Sequence, residues 1–223
     1  ETNIKDAKVQ INGDWQTINL NENNEATFTE DGTYFIRVTD KAYNEKAEVT
    51  FTIDQTAPTA TVTFSNDNGN AMTNQDVTVT LVASESIKDI EEEGWTRVDD
   101  KTFTKVYSEN GKYSVEITDK AGNTSTIKFE VKRIDREAPV ITLPTDNTFE
   151  VGVDVYTYPE AGSVWDEFDK EIDFKEVNIE WFKANADGSQ GEKVANFEWD
   201  TTLANRELGD YYIEYWVSDK AGN

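Results

Sequence analysis

The 223-residue chain contains neither cysteine nor histidine. That excludes disulfide staples, thiolate nucleophiles, thiolate zinc sites and imidazole bases. Carboxylates, hydroxyls, lysines and tyrosines are what remain for chemistry, so catalysis is not expected and no catalytic residue is assigned. Basic residues are scarce too: 21 Lys and Arg stand against 45 Asp and Glu, a net charge of -24. Such a surface repels nucleic acid phosphates and anionic membranes and favours divalent cations, so nucleic acid is not an expected partner. No apolar run approaches the roughly 18 residues needed to span a bilayer, and membrane insertion is not expected. No signal-like amino terminus is read in the sequence, and the missing cysteine leaves the compartment open.

Repetition is what the chain has in quantity. "DKAGN" occurs at 119–123 and again at 219–223, and "DKAYN" stands at 40–44. The likeness extends on both sides. "EDGTYFIRVTDKAYNEKAEVTFTIDQTAP" from Glu30 to Pro58 matches "ENGKYSVEITDKAGNTSTIKFEVKRIDREAP" from Glu109 to Pro139, with a two-residue insertion near the end. The third copy, "ELGDYYIEYWVSDKAGN", keeps Gly209 and Tyr211. Self-similarity at this spacing marks a tandem array whose units take roughly 80 to 100 residues.

Period-2 alternation gives the secondary structure. Tyr113, Val115 and Ile117 lie on one face of "YSVEIT"; Ile127, Phe129 and Val131 do the same in "TIKFEVK". Val62 and Phe64, then Val77, Val79 and Leu81, repeat the pattern upstream. These are half-buried antiparallel strands. "DKAGN" joins two of them as a hairpin, with Asp and Asn bonding to nearby backbone and Gly free to take a positive φ. Tyr43 in place of that Gly predicts either a position that is not left-handed or a strained Asn44 instead.

The order Gly-x-Tyr, strand, Asp-x-Ala-Gly-Asn, strand, Ile-Asp-x-x-Ala-Pro resembles the tandem bacterial Ig-like domains of cell-surface and secreted proteins of Gram-positive type. The third unit, with "APVITL", "FEVGVDVY" and "SDKAGN", is similar to surface Ig-like and hyalin-repeat domains. The resemblance implies an all-β fold: tandem immunoglobulin-like β-sandwiches joined by short Pro-containing linkers. It divides the chain into a partial domain at 1–55 lacking strands A and B, a complete domain at 56–137, and a domain at 138–223 lacking its last strand. "NIKDA" at the start matches "SIKDI" from Ser86, which is why the first unit is expected to be incomplete and the chain to be a piece of a longer one. Tyr34, Tyr113 and Tyr211 become tyrosine-corner residues opening strand F, and "DKAGN" becomes the F–G loop.

In such a sandwich the F–G and B–C loops lie where the chain enters. That places Asp119 and Glu85 near linker Asp54, and Asp219 near Asp135. Some arrays of this kind carry calcium at their junctions, so the resemblance implies one ion on Asp54, Glu85, Asp119 and Asn123 and another on Asp135, Asp219 and Asn223. Carboxylates with an amide or backbone oxygen are the ligands Ca²⁺ prefers. The alternative is that these Asp and Asn residues serve only as turn and cap residues on an acidic surface.

From residue 138 onward, 19 acidic and 6 basic side chains leave a net charge of -13. Trp165, Trp181, Trp199 and Trp216 are there as well. Trp181 and Trp216 sit in strand text and are expected in the core, whereas Trp165 and Trp199 are the expected exposed pair, suited to stacking on a sugar. The acids of "DEFDKEID" mark no cleft, and no Lys–Asn isopeptide pair can be chosen. The reading that emerges is a non-catalytic structural or adhesion segment, a semi-rigid spacer of an extracellular, wall-bound or secreted protein. Its partners are the neighbouring domains of the same longer chain and a host glycan or protein. The alternatives are accessory modules of a large secreted protease or glycoside hydrolase, or a carbohydrate- or protein-binding module centred on 138–223.

Overall fold

A computed structural model describes residues 4–11, 13–143, 163–173, 176–194 and 210–223. Nearly everything regular in it is antiparallel β-strand. By its contacts the chain divides into two compact units. One comprises Glu1–Thr63, Val79–Val106 and Lys112–Glu130, the other Phe64–Thr78, Tyr107–Gly111 and Val131–Asn223. The repeat boundaries at 55/56 and 137/138 each fall inside a unit.

In the first unit, β1 (Ile4–Ile11), β2 (Asp14–Thr17), β3 (Gly32–Asp40) and β4 (Glu45–Ile53) form a sheet in the order β2-β1-β3-β4. Ala7 and Val9 of β1 and Tyr34 of β3 are buried, and Tyr34 stacks on Phe51 at 5.2 Å between ring centroids. The Tyr34 hydroxyl reaches back to donate to the Glu30 carbonyl at 2.7 Å, fixing the connection that enters β3. The likeness of "NIKDA" to "SIKDI" has a structural counterpart. Ile4 pairs with Asp40, and Ile87 forms an isolated antiparallel bridge with Asp119. After that shared pair the two diverge, because Ala7, Val9 and Ile11 continue an apolar alternation while Glu91, Glu92 and Glu93 do not.

A second sheet takes the order β5-β6-β8-β7, from β5 (Ala60–Phe64), β6 (Val77–Ala83), β7 (Thr96–Arg97) and β8 (Thr102–Tyr107); β9 (Gly111–Thr118) and β10 (Thr124–Val131) form a hairpin. Leu81 and Ala83 of β6, Phe103 of β8, and Val115 and Ile117 of β9 close a core around Ile87. Strands from two sheets facing one apolar layer are a sandwich-type arrangement. The alternation places these residues: in β6 Val77, Val79, Leu81 and Ala83 are buried, while Thr78, Thr80 and Val82 are less so. Tyr113 stacks on Phe129 at 6.0 Å, and Trp95 meets Phe129 edge-on.

In the second unit, β11 (Val140–Thr142), β12 (Ser163–Asp166) and β13 (Lys170–Ile172) make one antiparallel sheet, and β14 (Asn178–Ala184), β15 (Gln190–Lys193) and β16 (Tyr211–Trp216) another. Val164, Val177 and Trp181 are buried, and Tyr211 packs edge-on to Trp181. Trp216 departs from the expected core position. Tyr211, Ile213 and Tyr215 turn inward, so Tyr212, Glu214 and Trp216 face out, and Trp216 is 42% exposed. Its place in strand text was legible, but its parity was not.

The hairpin loops corrected another expectation. Gly122 and Gly222 have φ of 107° and 90°, and Tyr43 itself adopts φ 62° at the same position. The site is left-handed in all three copies, and Tyr43 bears the strain rather than Asn44. Lys5 Nζ lies 3.2 Å from the centre of the exposed Tyr43 ring.

Candidate metal centres

The Asp of each hairpin organises its own loop. Asp119 Oδ1 accepts the backbone N–H groups of Gly122 at 2.6 Å and Asn123 at 2.9 Å. Asp219 repeats this with Gly222 and Asn223, and Asp40 does so with Ala42 and Asn44. This is the local carboxylate-to-backbone bonding that Asp brings to a turn. The Asn side chain closes the loop. Asn123 Nδ2 donates to Asp119 Oδ2 at 2.7 Å and to the carbonyl of linker residue Asp54 at 3.0 Å. Asn223 Nδ2 makes the same pair, to Asp219 Oδ2 at 2.9 Å and to the Asp135 carbonyl at 3.0 Å. Both asparagines act here as clasps between hairpin and linker, holding the carboxylates in place through their amide nitrogens.

The linkers are fastened in other ways as well. Asp31 accepts from the Gln55 backbone at 2.9 Å and from the Thr56 hydroxyl at 2.6 Å, and Pro58 is fully buried. Thr59 and Ser84 exchange hydrogen bonds, and Ser125 Oγ donates to the Pro58 carbonyl. In the second linker, Asn110 binds both the carbonyl and the N–H of Ile134, and the Asp135 N–H donates to the Thr73 carbonyl at 2.9 Å.

Two acidic groups result. Asp54, Glu85 and Asp119 each present a carboxylate oxygen within 4.8 Å of the others. Asp135, Asp166 and Asp219 do the same, and all three are buried. The sequence reading included Asp135 and Asp219 but not Asp166. The usable signal was parity: Glu85 stands two residues beyond Ala83, the last buried residue of β6, and Asp166 two beyond Val164, the buried apolar residue of β12. Asp166 Oδ1 also accepts the N–H groups of Phe168 and Asp169, both at 2.7 Å. Asp169 in turn holds Lys220 by its backbone N–H at 2.8 Å and its ammonium at 2.7 Å.

The electrostatics set the two roles apart. Burial, then the charges of Asp54 and Asp119, push Glu85 above the ordinary carboxylate range, with Lys101 opposing them. Burial pushes Asp135 up, partly offset by the Glu137 N–H, and the charges of Asp166, Asp219 and Asp169 add to the rise. Burial acts on Asp119 as well, but hydrogen bonds from Asn123, Gly122 and Ala121 outweigh it and leave that carboxyl below its usual value.

Asp135 tests whether a cation fits. The residue is 2% exposed, and its Oδ2 is buried with no hydrogen-bond partner. A buried anionic oxygen without a donor is costly, and two more carboxylates beside it raise the cost. A hard divalent cation suits this donor set, since such ions take carboxylate oxygens in flexible number. Asp135, Asp166 and Asp219 would hold it, as would Asp54, Glu85 and Asp119 in the first unit, and the ion would supply the positive charge each cluster needs.

Of the aromatic pair singled out for sugar stacking, Trp165 is 55% exposed, with Lys170 Nζ 5.6 Å from its ring centre. Trp199 lies outside the described residues. Tyr113 is the third residue of β9, as Tyr34 is of β3, whereas Tyr211 is the first residue of β16.

No protein-family model matches the chain. Among curated proteins, it is similar to an outer cell wall protein of Brevibacillus brevis, with 34% identity over 119 residues. That alignment takes in 52% of this chain and 11% of the relative, so the chain spans about a ninth of that protein's length.

Proposed function

We propose that this chain is a non-catalytic spacer segment of a cell-wall-associated protein, with calcium stiffening its repeat junctions. The wall location is supported by the similarity to an outer cell wall protein. The observation that carries the stiffening is the way each linker aspartate is bound. Asp54 and Asp135 are clasped through their carbonyls by the Asn of a "DKAGN" loop, and their carboxylates are gathered with the Asp of that same loop. An ion held there ties linker, B–C loop and F–G loop together, which removes freedom at the joint.

The test is small-angle X-ray scattering in chelator and in millimolar calcium, with thermal melting of the same samples. A longer particle and a higher melting temperature in calcium are expected. If neither changes, the carboxylates are turn residues and the stiffness rests on the linker hydrogen bonds alone.

A second reading, a carbohydrate-binding surface in residues 138–223, draws on outward aromatic rings. Trp165 is joined by Trp216 and Tyr212, each 42% exposed. Ring faces of this kind stack on pyranoses. A glycan array on the whole chain checks it: binding lost in Trp165→Ala or Trp216→Ala supports a sugar site, and no binding to any glycan removes it.

A further inference from the structure

The two centres are built alike, but their surroundings differ in three respects. The first is burial. Asp135, Asp166 and Asp219 are all buried, whereas in the other group only Asp119 is, and Asp54 and Glu85 are partly open to solvent. The second is unmet bonding capacity. Asp135 Oδ2 is the one carboxylate oxygen among the described residues that is buried with no hydrogen-bond partner. The third is the local charge. Lys101 donates its ammonium to the Ser84 carbonyl at 2.8 Å, next to Glu85, and opposes the two aspartates that act on that residue. At the other centre Lys220 is paired with Asp169, Lys170 donates its ammonium to the Glu167 carbonyl, and the charges of Asp166, Asp219 and Asp169 all push Asp135 upward.

Each difference acts in the same direction. Lower exposure strengthens attraction between an ion and its ligands, because less water screens them. A carboxylate oxygen with no donor has no hydrogen bond to give up on coordination. A cationic neighbour weakens the pull of the cluster it stands beside, and affinity for a hard cation follows the ligand charge count.

Building on the calcium reading above, we infer that the Asp135–Asp166–Asp219 centre holds a divalent cation at concentrations at which the Asp54–Glu85–Asp119 centre is empty. The second junction is then permanently ion-bound under conditions in which the first responds to the ambient ion level. Asp166 supplies the third carboxylate of the tight centre, and Lys101 keeps the other weak.

The experiment is calorimetric titration of calcium into the whole chain and three variants, with melting temperature as a second readout. Asp166→Asn keeps an Oδ1 that can accept from Phe168 and Asp169, so its loop is preserved while the charge is removed. The wild-type chain is expected to show a tight phase that Asp166→Asn weakens about tenfold or more and that Glu85→Gln leaves unchanged. Lys101→Gln is expected to tighten binding at the first centre without moving that phase. A tight phase lost in Glu85→Gln and kept in Asp166→Asn, or a single phase weakened equally by both, overturns the order of filling while leaving the calcium reading in place. No heat and no shift in melting for any form overturns both.

Discussion

Replacing Asn123 by Ala separates a clasp from a ligand. The side chain makes two hydrogen bonds through one nitrogen, to the Asp54 carbonyl at 3.0 Å and to Asp119 Oδ2 at 2.7 Å. One acceptor is neutral and the other charged, so losing both is expected to cost about 2 to 4 kcal/mol. Because the bonds exist without any ion, the full loss should appear in chelator, measured by urea denaturation with the slope unchanged. The loss also has a predictable pH dependence. Asp119 has a depressed pKa in the folded chain, so its stabilising contribution is present above 3.8 and disappears as pH falls through the lower folded value. The difference between wild type and Asn123→Ala should therefore be largest at neutral pH and shrink in acid. A variant as stable as wild type in chelator but weaker in calcium would show that Asn123 is a ligand, and the clasp argument would fail.

Three further outcomes follow from the packing. Tyr43→Asn relieves a left-handed backbone that costs non-glycine residues about 1 to 2 kcal/mol, and Asn tolerates that region, so the melting temperature should rise slightly; a clear fall would mean that the Lys5 contact outweighs the strain. Leu81→Ala opens a void in the core around Ile87 and should cost about 2 to 5 kcal/mol in denaturant; a loss under 1 kcal/mol would mean that the two faces collapse freely. Asp31→Ala frees Gln55 and Thr56, and because the Thr56 hydroxyl and the Gln55 contacts hold Asp31 below 3.8, its effect on melting should be present at neutral pH and vanish in strong acid. An effect that persisted unchanged in strong acid would show that the charge is irrelevant.

Strands such as β6 were legible because one face is buried, so that parity alone assigns Val77, Val79 and Leu81 to the core. The acidic groups were only half legible. Asp119 and Asp219 stand in identical pentapeptides, and Asp54 and Asp135 in matching linkers, so repetition exposed them. Asp166 was hidden because "SVWDEFDK" shares almost nothing with "LVASESIKD", and only the inward positions Val164 and Ala83 bring the two acids into correspondence. Tyr43 defeated sequence reasoning differently. A rule against bulky residues at positive φ is a statement of cost, and the hydrogen bonds of Asp40 to Ala42 and Asn44 hold the loop in shape despite it.

The fastening of Asp54 has a consequence for cooperativity. That residue directly follows β4 and belongs by sequence to the first repeat, yet its carbonyl is bound by Asn123, in the hairpin of the second. Asp135 and Asn223 stand in the same relation one repeat later. The period of the text and the period of mutual support are thus out of phase, and the second and third repeats each fasten their hairpin to a residue of the one before. In an array coupled in this way, nearest-neighbour terms carry much of the stability. A single repeat excised at the boundary in its sequence is expected to melt below its value in tandem, and unfolding should spread along the chain from joint to joint.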